Sequence, residues 1–122
     1  MKSELERAKS GLAKSDPAPY FISYSIYDQE LVGVAGSLGS ILTSTRVHQR
    51  LGDVMMRVGA PDLDNTHKEG LSSAITSGML PLGDNADALD HALWQLTNRE
   101  YRQAGPTFLN VKAQTAVHAE EE

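Results

Sequence analysis

Six polar residues, Asp62, Asp64, Asn65, Thr66, His67 and Glu69, fall within the eight positions of DLDNTHKE. Carboxylates, an amide and an imidazole this close together can hold a cation, work as an acid–base pair, or bond back to their own backbone where a loop leaves a strand. A calcium loop starting at Asp62 would place Thr66 at its fifth position, His67 at the sixth where the sharp turn needs glycine, and Ser73 at the twelfth where a bidentate Glu belongs. That pattern excludes an EF-hand. Zinc needs three or four convergent ligands, yet His48, His67, His91 and His118 are far apart and none belongs to an HExxH pair. Asp64 and His67 remain as two ligands from one loop, or as the acid and base of a small hydrolase. The competing use, turn residues bonding to nearby main chain, requires no further partner.

Other segments offer less. GVAGSLG spaces Gly33, Gly36 and Gly39 by three, which is neither GxGxxG nor a Walker loop, and no lysine follows to reach a phosphate. Ser37 in AGSLG approximates a nucleophile elbow but lies between strands instead of entering a helix. Tyr20, Phe21, Tyr24 and Tyr27 could stack on bases, but no basic groove accompanies them. No catalytic, cofactor-binding or metal-ligating set stands out. Arg57, Asp64, Asn65, Thr66 and His67 are instead candidate loop anchors or interdomain contacts, with Arg57 projecting from the second face of a sheet to meet an acid.

The elements that would position these residues follow from periodicity. Leu5, Ala8 and Leu12 at spacings of three and four predict a helix over residues 2–14, with Ser3 and Glu6 as a capping box. SDPAP ends it. From Tyr20 the period becomes two, predicting strands over 20–28, 31–38, 41–49 and 51–59, with a turn at DQE and a bulge or close approach at Gly33 or Gly36. Residues 60–84 read as a long loop. Asp84 as N-cap opens a helix over 85–104, in which Leu89, Leu93 and Leu96 recur, and GP at Gly105 and Pro106 separates it from a last helix over 107–119. The expected fold is α+β: an antiparallel meander of about four strands, with the N-terminal helix and one or two C-terminal helices on one face.

At 122 residues the chain fits a single domain, and its 40% hydrophobic and 22% charged residues are far from the composition of disorder. The formal charge is -5 with Lys and Arg scattered singly, which argues against nucleic acid. Cysteine is absent, so there is neither a disulfide framework nor a thiolate nucleophile. The charged MKSELERAKSGLAKS start has no apolar run of signal-peptide length, and no 18-residue apolar stretch follows. A cytoplasmic protein without membrane contact is expected.

The order ELERAK, PYFISY, VMMRVG, LDNTH, LPLGDNADAL and LWQLTNREYRQA resembles the N-terminal region of TldD/PmbA-like proteins, the metallopeptidase family also called modulators of DNA gyrase. The resemblance spans nearly the whole chain. It implies the first domain of a longer protein whose zinc-binding HExxxH motif lies in a later C-terminal domain. HExxxH does not occur in this sequence, so no catalytic residue carries over and this chain alone is expected to be neither an enzyme nor a cofactor binder. The family works as a paired assembly enclosing its active site. The expected partners are therefore the C-terminal domain and a paired family subunit, with homo-oligomerisation favoured by any apolar surface left uncovered. A freestanding module holding a peptide or protein ligand on a sheet edge is the alternative, and a small hydrolase using His67 with Asp64 is the third.

Overall fold

The computed structural model describes residues 1–67 and 70–121. Two strands dominate it. β1 (Pro19–Ser37) and β2 (Ser40–Ala60) pair antiparallel along their full lengths. They are joined by Leu38 and Gly39 at φ 50° and 78°, the two-residue turn whose twist matches that of the strands. A register shift lies between Ala35 and Gly36, where a bulge was expected.

The four strands read from the sequence are thus two, because neither polar interruption ends the ladder. Asp28, Gln29 and Glu30, expected as a turn, stand opposite Arg50, Gln49 and His48. The Asp28 carboxylate accepts from His48 and from Arg50 at 3.1 Å, Gln49 donates to Gln29 at 3.1 Å, and Arg46 reaches Glu30 at 3.1 Å. Exposed pairs of this kind each contribute little net stability. They are enough to let charged residues sit as rungs, so polarity here marks solvent and not chain reversal.

The stretch expected as a loop over 60–84 holds the other two strands. β3 (Leu63–Asp64) pairs with Gly59 and Ala60, and β4 (Ile75–Leu80), entered by a 3-10 turn at Leu71–Ala74, pairs with Arg50–Met55. Alternation in ITSGML is inverted: Thr76 and Leu80 are buried while Met79 is exposed. An inward threonine and an outward methionine conceal the period-two signal that would betray a half-buried strand. The sheet is four-stranded and antiparallel.

α1 (Lys2–Leu12) and α2 (Ala86–Glu121) cover one face of that sheet, making the chain α+β. The expected capping box of α1 does not form. Ser3 Oγ instead donates to Asp90 Oδ2 at 2.6 Å, beside the Met1 ammonium on Oδ1 at 2.8 Å, which ties the start of α1 to α2. At the start of α2, Asn85 and not Asp84 is the cap, its Oδ1 accepting the N–H groups of Asp87 at 3.1 Å and Ala88 at 3.2 Å.

α2 also runs through Gly105 and Pro106, where two helices were expected. Proline in a helix interior costs about 3 kcal/mol by removing a donor and crowding the preceding carbonyls. Thr107 Oγ1 donates to the Gln103 carbonyl at 2.8 Å, and beyond the proline Phe108 packs on Met56, Val58 and Ala104 while Val111 is buried. This packing outweighs the local penalty. The core is one layer deep between sheet and helices, with Val54, Leu80, Leu93 and Leu96 at one end and Met56, Val58 and Ala104 at the other.

The helix lies close against the sheet at Gly78 and Gly59. A Cβ on Gly78 would stand 2.6 Å from Leu96 Cδ2, and one on Gly59, at φ 106°, would stand 2.5 Å from Phe108 and 2.7 Å from the Leu63 carbonyl oxygen. Gly59→Ala should therefore lower unfolding stability by roughly 2–4 kcal/mol, from backbone strain together with overpacking, as read from the urea midpoint.

Candidate functional site

The polar cluster assembles where β2 ends. After β3 the chain lies beside β2 but does not continue to pair with it through main chain. The Asn65 side chain takes that place. Fully buried, it accepts the Val58 N–H on Oδ1 at 2.9 Å and donates from Nδ2 to the Met56 carbonyl at 3.1 Å. A primary amide carries both a donor and an acceptor in nearly the geometry of a peptide group, so Asn65 replaces one rung of a neighbouring strand.

Asp64, also buried, is held by its neighbours. Oδ1 accepts the Thr66 N–H at 2.8 Å and the Thr66 hydroxyl at 2.6 Å, and Oδ2 accepts the Tyr20 hydroxyl at 2.5 Å. Burial pushes this carboxyl up, but the bonds from Thr66 and Tyr20 and the Arg57 charge together outweigh it and hold it below its usual range. Burial, followed by the bond to Asp64, raises the Tyr20 phenol, keeping it a donor. Arg57 Nε approaches Asp64 Oδ2 only to 4.0 Å and has no hydrogen-bond partner although buried.

Of the five anchor candidates, Arg57, Asp64, Asn65 and Thr66 therefore come together. His67 joins through its backbone, its N–H donating to the Asp64 carbonyl at 3.1 Å. Among the described residues no hydrogen bond links its ring to the Asp64 carboxylate, whose oxygens are already occupied, so the acid–base pair of a hydrolase is not assembled. Asp62 is exposed, and Glu69 lies outside the described residues. Among the described residues no three His, Asp or Glu side chains converge on a possible metal position.

On the outer sheet face, Arg57 shares a pocket of about 330 Å³ with Tyr20, Phe21, Met55 and Leu71. Sequence reasoning placed Arg57 on the second face and Asp64 beyond the strand end, but it did not bring Tyr20 and Leu71 to them. Those contacts depend on the pairing of β1 with β2 and on the path into β4.

Glu100 was also missed. It is fully buried, and Thr76 Oγ1 lies 2.6 Å from Glu100 Oε2 and 2.8 Å from Gln103 Oε1, while Glu100 Oε1 has no partner. One hydroxyl hydrogen cannot serve two acceptors. A protonated Glu100 resolves this by donating to Thr76, which then donates to Gln103. Burial pushes the carboxyl up to about 7 against the opposing effect of the Thr76 bond. The signal was present in the sequence, since Glu100 falls four residues after Leu96 and seven after Leu93 on the apolar face of α2.

No protein-family model matches the sequence, and neither a curated protein nor a solved structure matches it significantly. Among the described residues no helix is long and apolar enough to cross a membrane.

Two outcomes follow from this geometry. Asn65→Leu should destabilise the fold by roughly 2–6 kcal/mol, because the Val58 N–H and Met56 carbonyl are left buried and unpaired, and Asn65→Asp should restore only the Val58 bond. Calorimetric or urea unfolding of the two variants checks this. For Glu100 the folded carboxyl keeps its proton above the pH at which the unfolded one loses it. Its stabilising contribution is complete below pH 4.5 and is lost as pH rises through about 7, a change of about 3 kcal/mol. Glu100→Gln should flatten that slope in urea titrations across the same range.

Proposed function

We propose that this chain is a non-catalytic N-terminal domain of a TldD/PmbA-like metallopeptidase, contributing to assembly or substrate access through its β1–β2 arm. The order of its sequence segments supports the family. The arm supports the role. β4 leaves β2 at Arg50, and beyond that point the hairpin projects without cover. Val32, Val34, Ile41 and Leu42 are 61–73% exposed there, with Leu31 and Val47 about half exposed.

Apolar side chains on both faces of a two-stranded ribbon gain nothing from this domain's own core. Such a ribbon is marginal in water unless something packs against it, and contiguous apolar surface of this kind marks a contact with another protein. In this reading the metal belongs to the HExxxH domain, and the residues of this chain do not provide a zinc site. The open edges of β1 and of β2 over residues 40–49 favour a second reading, a freestanding module that holds a peptide or protein by strand addition.

Co-expression distinguishes the two. The chain should co-elute with an HExxxH-bearing subunit of the family, and Val34→Asp with Leu42→Asp should weaken that association at least about tenfold without moving the melting temperature. Strand addition predicts instead that extended peptides bind the arm and that the family subunit does not. Chelator-sensitive peptide hydrolysis by the 122-residue chain by itself would sink the non-catalytic reading.

A further inference from the structure

We propose that the outer-face pocket at Arg57 binds the C-terminal apolar residue of a peptide, with Arg57 holding its free carboxylate. This goes beyond the assembly role and does not depend on it. The pocket combines two features. Its walls are apolar: Phe21 and Leu71 are about half exposed, and Met55 and the Tyr20 ring complete the lining. Phe21 stands directly across the ladder from Arg57, so ring and guanidinium rise from the same face. At about 330 Å³ the space lies at the small end of ligand pockets, suited to one side chain and its terminal group.

The second feature is a guanidinium whose Nε lacks a hydrogen-bond partner. Burial pushes the Tyr20 phenol up and the guanidinium, which meets its hydroxyl, lowers it against burial, but among the described residues the Arg57 Nε is buried without a partner. The nearest acid does not fill the gap. Asp64 Oδ2 stands 4.0 Å away, while its oxygens take the Thr66 amide, the Thr66 hydroxyl and the Tyr20 hydroxyl. Asp64 thus balances the charge of Arg57 without accepting from its Nε. A planar donor fork beside an apolar wall matches a carboxylate attached to an apolar side chain, which it can take through two parallel bonds.

The same balance sets the ligand's charge. Asp64 stays ionised well into the acid range, and among the described residues no second cation lines the pocket. A dianionic phosphate would face Asp64 with only one arginine to offset it, so a monoanion fits better.

Titration of the full chain with N-acetyl-L-phenylalanine, N-acetyl-L-phenylalaninamide and phenyl phosphate, followed by backbone amide shifts, tests the assignment. The acid should saturate, with shifts centred on Phe21, Met55 and Arg57. The amide should bind at least about tenfold more weakly, as expected for loss of charged hydrogen bonds. Arg57→Gln should bring the acid down to the level of the amide, and Arg57→Lys should fall between. Leu71→Ala, at an exposed position, should weaken acid and amide by the same factor, and it keeps the test decisive if Arg57→Gln fails to fold. Equal binding of acid and amide, tighter binding of phenyl phosphate, or no saturable binding of the acid by the folded wild-type chain would each overturn the proposal.

Discussion

A 21-residue central strand must find partners for the N–H and C=O groups along both of its edges wherever it is buried, and the topology of this protein follows from how one short chain supplies them to β2. β1 satisfies one edge along its whole length through a two-residue turn. The other edge is covered in pieces. β4 pairs over Arg50–Met55, the Asn65 amide serves Met56 and Val58, and β3 takes Gly59 and Ala60. Among the described residues no strand pairs with residues 40–49 on that edge, and this is also where burial stops. Covered and uncovered lengths of β2 therefore separate the domain into a body with a core and an arm without one.

The same relay builds the polar cluster. Because Asn65 is fixed against β2, its neighbour Asp64 is held under Tyr20 from the adjacent strand and within 4.0 Å of Arg57. Because β4 must return to pair at Met55, the preceding 3-10 turn brings Leu71 over the outer face. The pocket is thus a by-product of how the edge is closed, and its arginine is left with a compensated charge and a buried Nε without a partner. A group held in that state has more to gain from a ligand than a surface arginine that water already satisfies.

Helix α2 was the most legible element, because Leu89, Leu93 and Leu96 keep a helical period independent of anything they touch. The sheet was less so. Asp28, Gln29 and Glu30 carry the composition of a turn, and only the opposing Arg50, Gln49 and His48 make them rungs; that pairing joins residues some twenty apart and leaves no local trace. ITSGML hid for a different reason. Its inward threonine is satisfied by Glu100 and Gln103 of α2, and its inward glycine makes room for Leu96, so both depend on a helix that comes later in the chain. At the candidate site Asp64, Asn65 and Thr66 attracted notice as a polar run, and the loop-anchor role follows from their types. The partners Tyr20 and Met56 could not be read, since tertiary pairing chooses them.

Two buried polar contacts then give the fold its register. A one-residue slip of β2 would turn Val54, Met56 and Val58 to the outer face, but apolar side chains alone resist such a slip weakly where both faces of a sheet carry hydrophobic residues, as here with Met55, Met79 and Phe21. Asn65 is bound to the two consecutive peptide groups that flank Arg57 in β2 and cannot follow a slip without leaving both unpaired. Thr76 and Glu100 fix β4 against α2 in the same way. Each contact adds little net stability when formed and forfeits much more when broken, so its effect falls on the alternatives to the native pairing. The arm has no buried contact of this kind. Its register rests on the two-residue turn at Leu38 and Gly39, with exposed pairs such as Arg46 with Glu30, which are individually weak, adding little.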